Sequence, residues 1–357
     1  MPALVAERSL REIRDVSSMT AGAGHAAGQG ARHPHVTAVL VTYNRAGLLE
    51  QCLADLSRVA PAPDRLVIID NASTDDTADV VTRATTSLSL PEVRYIQLAE
   101  NTGGSGGYYE GVRRALREGT DFVWLMDDDV ELLPSSLGSL MGWTHRYDVV
   151  QGMRYDYDGG HFTWQPMLTR WSYVPTLRGP GFGIDGSASI NSGTFEGMLV
   201  RASVFEVIGL PDPRFFIVWD DSVFGWLADT AGLRVGYVAE YTLRRRREPT
   251  RIQVAGRQVN SSSARHRYYV VRNRGLVKNY ARARGRYRAA PFLAGTAVIV
   301  VKEVLRLVGS GSVAEGVADV VRGVRAARDI SRDEAWRPMP PWPADRDRPI
   351  AASQRPD

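Results

Sequence analysis

Phe122-Val-Trp-Leu-Met-Asp-Asp-Asp129 joins an apolar run to three consecutive carboxylates. Bulky apolar residues without alternation read as a strand buried on both faces, the form strands take in parallel sheets covered by helices. Adjacent carboxylates repel one another, so placing three at the edge of a core calls for something that neutralises them. In extended chain Asp127 and Asp129 point the same way. Two oxygen donors facing one spot suit Mg²⁺ or Mn²⁺. A solvated acidic turn or a helix cap is the plainer reading of the same triplet.

Outward from this stretch, strand and helix patterns alternate. Val36–Val41, Arg65–Asp70 and Val93–Leu98 read as strands, and Arg45–Leu56, Thr74–Thr82 and Gly104–Glu118 as helices. Repeated strand–helix–strand units imply an α/β fold with a mostly parallel sheet and helices on both faces. Ligands in such sheets bind beyond the carboxyl ends of the strands. There the sequence places Thr42, Tyr43, Asn44 and Arg45, then Asp70, Asn71 and Ser73, then Asn101, Gly103 and Gly104, and finally Asp127, Asp128 and Asp129. Asp70 suits acceptance of hydrogen bonds from a ribose or base, or an ordinary turn role. The segment Asn101-Thr-Gly-Gly-Ser-Gly-Gly107 opens a helix, where glycines allow close backbone approach and the amides favour anions. It lacks the Lys-Ser/Thr of a phosphate-binding P-loop.

Beyond Pro134 the periodicity loosens. Residues 154–189 read as loops and short strands, followed by a strand at Gly193–Val200, a helix at Arg201–Ile208 and a short strand at Arg234–Val238. Phe215-Phe-Ile-Val-Trp-Asp-Asp221 leads aromatic residues into two carboxylates at a helix start. A carboxylate beside a desolvating Trp has a raised pKa and suits a general base, although helix capping also explains the pair.

The 357 residues, 44% hydrophobic and 24% charged, fit a folded α/β domain with an appendage. The single cysteine, Cys52, lies in an apolar helical pattern, excludes an internal disulfide and fits a reducing cytoplasm. The net charge is only +4, but Tyr241–Ala290 holds fifteen Lys and Arg against one acid, Glu248. Such asymmetry points to an anionic partner or to a solvated basic face. No run of about twenty apolar residues indicates a membrane span, and Glu7, Arg8, Arg11 and Glu12 interrupt any signal-peptide core. The expected organisation is a flexible extension over 1–33 and a domain over 34–240, with halves at 34–133 and 134–240. A basic helical region over 241–335, with an Arg265–Tyr280 helix and an apolar Pro291–Val308 helix, and a disordered tail over 336–357 complete it.

The stretches VTAVLVTYNR (36–45), LVIIDNASTDDT (66–77), NTGGSGGYYEGVRRAL (101–116), WLMDDDVEL (124–132) and FFIVWDDSVFGWLADTAG (215–232) together resemble the family 2 glycosyltransferases in order and spacing. The resemblance implies a GT-A fold: a Rossmann-like nucleotide-binding half joined to an acceptor half. It implies an inverting enzyme acting on a nucleotide-sugar donor, UDP- or dTDP-linked. Carried over by motif, Thr42, Tyr43 and Asn44 line the nucleoside pocket, Asp70 contacts the base, and Asn101, Gly103 and Gly104 cradle the donor. Asp127 and Asp128 contact the donor, Asp127 and Asp129 ligate Mg²⁺ or Mn²⁺, Asp221 is the base, and Trp219 and Asp220 shape the acceptor site. FFIVWDD, NTGGSGG and RYYVVRNRG (267–275) look like those of bacterial galactofuranosyltransferases and rhamnosyltransferases of cell-wall polysaccharide synthesis. That likeness implies a glycan or polyprenyl-diphosphate-linked acceptor, peripheral contact with an anionic membrane and a place at the inner face of the plasma membrane.

The family usually carries a metal-binding His after the strand that follows the base helix. Residues 238–247 contain none, and His266 is the nearest downstream candidate. Arginines offsetting diphosphate charge, or a weakly held metal, are the other readings. A nucleotidyltransferase would need a glycine run after the first strand, which Thr42–Gly47 lacks. A basic nucleic-acid-binding module leaves both acidic clusters unexplained, so no nucleic-acid partner is expected. A degenerate transferase that only binds nucleotide sugar is a further alternative, given the missing His.

Overall fold

A computed structural model describes residues 33–342 except 163–166, 177–180, 249, 255–256 and 312. The extension expected over residues 1–33 lies outside the described residues except for His33. In residues 35–357 the chain begins β1 (Val36–Thr42), α1 (Ala46–Leu56), β2 (Arg65–Asp70), α2 (Thr77–Ser87), β3 (Glu92–Gln97), α3 (Gly103–Arg117) and β4 (Phe122–Asp127). It continues through β5 (Val130–Leu132), α4 (Ser136–Met141), β6 (Val149–Tyr155), β7 (His161–Phe162), β8 (Ser187–Ser189), β9 (Met198–Arg201), α5 (Ala202–Ile208), α6 (Asp220–Thr230) and β10 (Val235–Arg245).

Among the described residues ten strands form one sheet in the order β3-β2-β1-β4-β9-β6-β10-β5, with β7 on β6 and β8 on β10. The first four strands are parallel. β9 runs antiparallel to β4 and β6 and makes the second half mixed. The strands are covered on both faces, as their unbroken apolar runs require. Ala38 and Leu40 of β1 turn to one face and pack with Leu49 and Leu53 of α1. Val39 and Val41 turn to the other and pack with Val112 of α3. Register aligns the strand ends, because Thr42 lies opposite Asp70 and Val41 opposite Asp127.

Some boundaries differ from the sequence reading for local reasons. α2 starts at Thr77 rather than Thr74 because Asp75 accepts from Thr77 N–H and from Ala46 N–H, which fixes the preceding loop against the start of α1. The strand expected at Gly193–Val200 is confined to β9, since Gly197 has φ +80° and residues 194–196 face a cavity. β10 runs across the boundary expected at residue 240.

After a hairpin, β11 (Arg251–Val254) and β12 (Arg257–Asn260), come α7 (Ala264–Arg272), α8 (Arg274–Ala283), α9 (Ala289–Ser310) and α10 (Val313–Ile330). The expected Arg265–Tyr280 helix is thus two helices meeting at Asn273. Part of the basic stretch is committed to internal partners. Arg246 pairs with buried Asp55, Arg267 with buried Asp319, and the buried guanidiniums of Arg272 and Arg274 donate to backbone carbonyls. No described helix is long and apolar enough to cross a membrane. The disordered tail expected from residue 336 is corrected at its start: the rings of Trp336 and Tyr280 meet edge to face, and Trp342 is buried, its N–H donating to Phe205 O. Large aromatic surfaces hold this segment against the core. Residues 343–357 lie outside the described residues.

Gly107 and Gly111 lie one helical turn apart on α3, facing Val41 and Val39 of β1, and a Cβ at either would run into those side chains. Two of the fold's glycines therefore set a helix-to-sheet distance. Gly111→Ala should lower stability by about 1–3 kcal/mol, the usual range for overpacking, as read by chemical denaturation. An unchanged midpoint would show that α3 does not lie this close to the sheet.

Candidate active site

The carboxyl ends of β1 and β4, the start of α3, residues 194–196 and the approach to α6 enclose a cavity of about 680 Å³. Thr42, Tyr43, Asn101, Gly103 and Gly104 line it from the first half of the domain. Asp127, Asp128 and Asp129 stand at its floor, while Trp219, Asp220 and Asp221 approach from the second half. Two acidic clusters more than ninety residues apart in sequence thus open onto one space.

Two expected donor contacts are absent from the lining. Asp70 is fully buried, its carboxylate accepting from Ser73 N–H (2.8 Å) and Tyr95 O–H (2.6 Å). Asn44, at φ +49°, donates its N–H to Ser73 Oγ and accepts from Thr74 N–H through Oδ1. Asn44 ties the loop after β1 to the loop after β2, and Asp70 ties the latter to Tyr95 of β3, so each carries structural hydrogen bonds where a ligand contact was expected. Neighbouring Asn71, also buried, donates through Nδ2 to Gly103 O (2.6 Å) and accepts from Thr102 N–H. Gly103, at φ +73°, passes so close to Phe216 that no side chain fits, and Ser105 N–H donates to Phe216 O.

The aspartates differ in environment. Asp128 is buried and accepts from Thr42 Oγ1 (2.7 Å) and from Arg45 Nη1 (3.0 Å). Arg45 Nη1 also reaches Asp129 Oδ2 at 3.0 Å. Asp127 accepts from the Tyr108 hydroxyl (2.6 Å); burial, then repulsion from Asp129, raises its pKa well above the usual carboxylate range. Burial also raises Asp128, against the pull of Arg45. Asp220 accepts from Ser105 Oγ (2.8 Å) and is raised by burial and by Asp221. Burial pushes Asp221 up to about 6, although Ser222 N–H and the Ser222 and Thr194 side chains favour its ionised form. Glu196 lines the cavity too, paired with buried Arg154, whose charge lies within the field of Asp221 and Asp127. His266 reaches the cavity from the first turn of α7, and burial lowers its pKa. Among the described residues no three His, Cys, Asp or Glu side chains form a closed metal-binding group.

The segment before α6 is strained. Phe216, Val218 and Trp219 have φ of +64°, +70° and +75°, a conformation that costs non-glycine residues about 1–3 kcal/mol each. The C-terminal helices hold it. Asn273 Nδ2 lies 2.9 Å from the carbonyl oxygens of Phe215, Ile217 and Val218. Trp219 Nε1 donates to Val270 O at 3.0 Å, and Arg272 donates to Arg214 O. The Arg274 guanidinium lies 5.5 Å from the centre of the Trp219 ring. Trp219 is thus a buried pin as well as part of the cavity wall. Sequence reading missed Asn273, Tyr108, Ser105, Arg154 and Glu196. Their partners lie elsewhere along the chain, so no local pattern marks them.

Two consequences are measurable. Asn273→Ala removes the donor of Ile217 O and Val218 O, while Phe215 O keeps Ile217 N–H, and should destabilise the chain by about 2–4 kcal/mol, given about 1–3 kcal/mol for an unsatisfied buried group. A loss well under this range in denaturant melts would mean that the loop holds itself. A carboxyl raised on folding contributes stability that is present at low pH and is lost as pH rises through the folded value. Asp127→Asn should therefore stabilise the chain more at about pH 8 than at about pH 5; equal effects in thermal melts would place Asp127 in the ordinary range.

The family model for Glycosyl transferase family 2 matches residues 37–206. The galactofuranosyltransferase GlfT1 of Mycobacterium tuberculosis is 32% identical over 195 residues, which are 52% of this chain and 62% of that protein. GlfT1 of Mycolicibacterium smegmatis is 29% identical over 197 residues, with the same two shares. The match thus spans less than two thirds of the curated relatives' own length. Among solved structures, the mannosyltransferase PcManGT from Pyrobaculum calidifontis in complex with GDP-Man and Mn²⁺ superposes with a TM-score of 0.47 at 17% identity, covering 90% of this chain and 85% of that one. The matched span contains β1–β9 and the Asp127–Asp129 cluster and stops short of Asp221. Over residues 37–206 this chain is thus similar to glycosyl transferase family 2, and about half of it is similar to the galactofuranosyltransferases GlfT1.

Proposed function

We propose that this chain moves a sugar from a UDP- or dTDP-linked donor to a hydroxyl of a cell-envelope glycan or glycolipid, with inversion, and that the sugar is galactofuranose or rhamnose. The observation that carries this reading is the shared cavity, with the Asp127–Asp129 cluster at its floor and Asp221 in its wall. The relatives named galactofuranosyltransferases support the choice of sugar.

On this reading Thr42 and Tyr43 receive the nucleoside, and the half-exposed Tyr43 ring is available for stacking. Asn101 and Gly104 flank the donor sugar. Asp221, with a pKa near 6, is largely ionised at neutral pH yet basic enough to accept a proton, the balance a general base needs. It takes the proton of the acceptor hydroxyl as that oxygen bonds to the anomeric carbon. The bond from that carbon to the donor phosphate oxygen breaks on the opposite face, and the nucleoside diphosphate leaves. Asp220 and Trp219 shape the acceptor side.

The carboxylates fit a divalent cation. Asp127 and Asp129 supply hard oxygen donors, and the repulsion between them is what a cation relieves. With no closed three-residue group among the described side chains, diphosphate oxygens and water would complete the shell, with His266 the one nitrogen donor lining the cavity. Bound Mg²⁺ or Mn²⁺ would offset charge on the leaving diphosphate. Arg45, bridging Asp128 and Asp129, holds part of that charge balance itself.

Exposed Leu293, Val298, Val301, Leu305 and Val308 form a stripe along α9, and Val313, Val317, Val321 and Val324 form another along α10. Exposed Arg282, Arg286 and Arg288 lie at the α9 entrance. Apolar stripes beside cations favour peripheral contact with an anionic membrane surface, which would place the enzyme at the inner face of the plasma membrane.

Nucleoside diphosphate release measured across UDP-galactofuranose, dTDP-rhamnose, UDP-glucose and GDP-mannose, with and without Mn²⁺, should favour one of the first two. Asp221→Asn should lower kcat by about 10²–10⁴-fold, the range for a lost general base, with UDP affinity retained. Turnover close to wild type would remove Asp221 from this role. Because the base must be ionised, activity should rise with pH through about 6. An acidic limb lying in the ordinary carboxylate range would show that another group titrates.

A further inference from the structure

A second cavity, of about 690 Å³, adjoins the first and shares Asn101, Phe216 and Arg265 with it. Its remaining wall comes from the C-terminal helices: Tyr268 and Tyr269 of α7, and Arg322 and Arg325 of α10. No carboxylate lines it. Among the described residues, Arg322 is paired with Asp319, a carboxylate already shared with buried Arg267, and neither Arg265 nor Arg325 has a carboxylate within ion-pair distance. Three guanidiniums therefore face one space with a single, shared counter-charge.

Aromatic rings fix where those charges sit. Phe216 stacks on Tyr269 with ring centres 4.9 Å apart. Arg265 lies 5.9 Å from the centre of the Phe216 ring, and Arg322 5.9 Å from that of Tyr268. A guanidinium held on a ring face keeps its N–H edge available for planar, bidentate acceptors, although Arg322 gives Nη2 to Asp319. Arg265 also stands in the first turn of α7, where the helix end carries partial positive charge. Like charges at this density are stable when an anion joins them, and phosphate oxygens match the guanidinium fork.

We propose that this second cavity binds a phosphate or diphosphate ester group carried by the acceptor, without a metal. The inference rests on the transferase reading and deepens it. Phe216 belongs to both cavities and opens the strained segment that leads to Asp221, so a ligand anchored among the arginines extends toward the base. The donor diphosphate would go instead to the acidic end of the first cavity, where Asp127 and Asp129 would hold a cation. The two anion sites would thus differ in chemistry: one would depend on a metal, the other on arginine alone.

The test is calorimetric titration of the full chain with octyl diphosphate, once with a chelator present and once after saturation with UDP and Mn²⁺. Binding is expected in both conditions. Arg325→Gln should weaken it about tenfold, as for loss of a charge-assisted contact, and Arg322→Gln with Arg325→Gln should remove it, with UDP affinity and melting temperature unchanged. Sedimentation with phosphatidylcholine vesicles, with and without phosphatidylglycerol, separates the sources. If the double variant loses only phosphatidylglycerol-dependent binding, the phosphate belongs to a lipid headgroup. If it loses octyl diphosphate, the phosphate belongs to a soluble or lipid-linked ester. Binding that a chelator abolishes, that UDP displaces, or that the arginine substitutions leave intact would overturn the site. Failure of UDP to bind would count against the transferase reading, while the chelator titration would still decide the second cavity.

Discussion

One carboxamide governs the geometry of this domain. The side-chain nitrogen of Asn273 shares its two hydrogens among the carbonyls of Phe215, Ile217 and Val218. Those residues belong to a segment whose backbone takes left-handed conformations at Phe216, Val218 and Trp219. Such strain persists only where the surroundings over-determine it. Here they do, through Asn273, Trp219 Nε1 on Val270 O, and the Gly103–Phe216 approach. The result is that α6 begins with Asp220 and Asp221 turned into the cavity. The C-terminal helices therefore complete the site, because they supply the side-chain donor that the carbonyls of Phe215, Ile217 and Val218 share.

The cavity gathers acidic groups that disfavour one another. Burial and mutual repulsion raise Asp127, Asp220 and Asp221 together. The hydroxyls of Tyr108, Ser105 and Ser222 hold those side chains in place, and Arg45 and Arg154 supply cations at two sides. An arrangement that sacrifices folding stability to cluster charge is typical of sites that act on charged ligands. It also fits an enzyme whose substrate arrives with a cation and a diphosphate.

The parallel half of the sheet was legible in the sequence because burial on both faces leaves an unbroken apolar run, as in Val36–Val41 and Phe122–Met126. The strand-end rule then located Thr42, Tyr43, Asn101 and the aspartates at one edge, and all of them line the cavity. Asn44 and Asp70 obey the same rule and do not line it. Sequence position cannot tell a side chain that faces ligand from one that ties two loops together. Similarly, fifteen Lys and Arg in one stretch suggested an anion-binding face, whereas Arg246, Arg267, Arg272 and Arg274 are committed to internal partners. Their partners lie between 50 and 200 residues away or on backbone carbonyls, and neither leaves a local pattern. Asn273 was unreadable for the same reason, since its role exists only once α7 and α8 meet the loop before α6.

Two acidic clusters open onto one space. A crystal structure of the full chain with UDP and Mn²⁺ tests this directly. It should show the diphosphate and the cation against Asp127 and Asp129, the base beside Tyr43, and the Asp221 carboxylate facing the terminal phosphate across the cavity. UDP bound elsewhere, or Asp221 turned away from the phosphate with the segment before α6 rearranged, would contradict it.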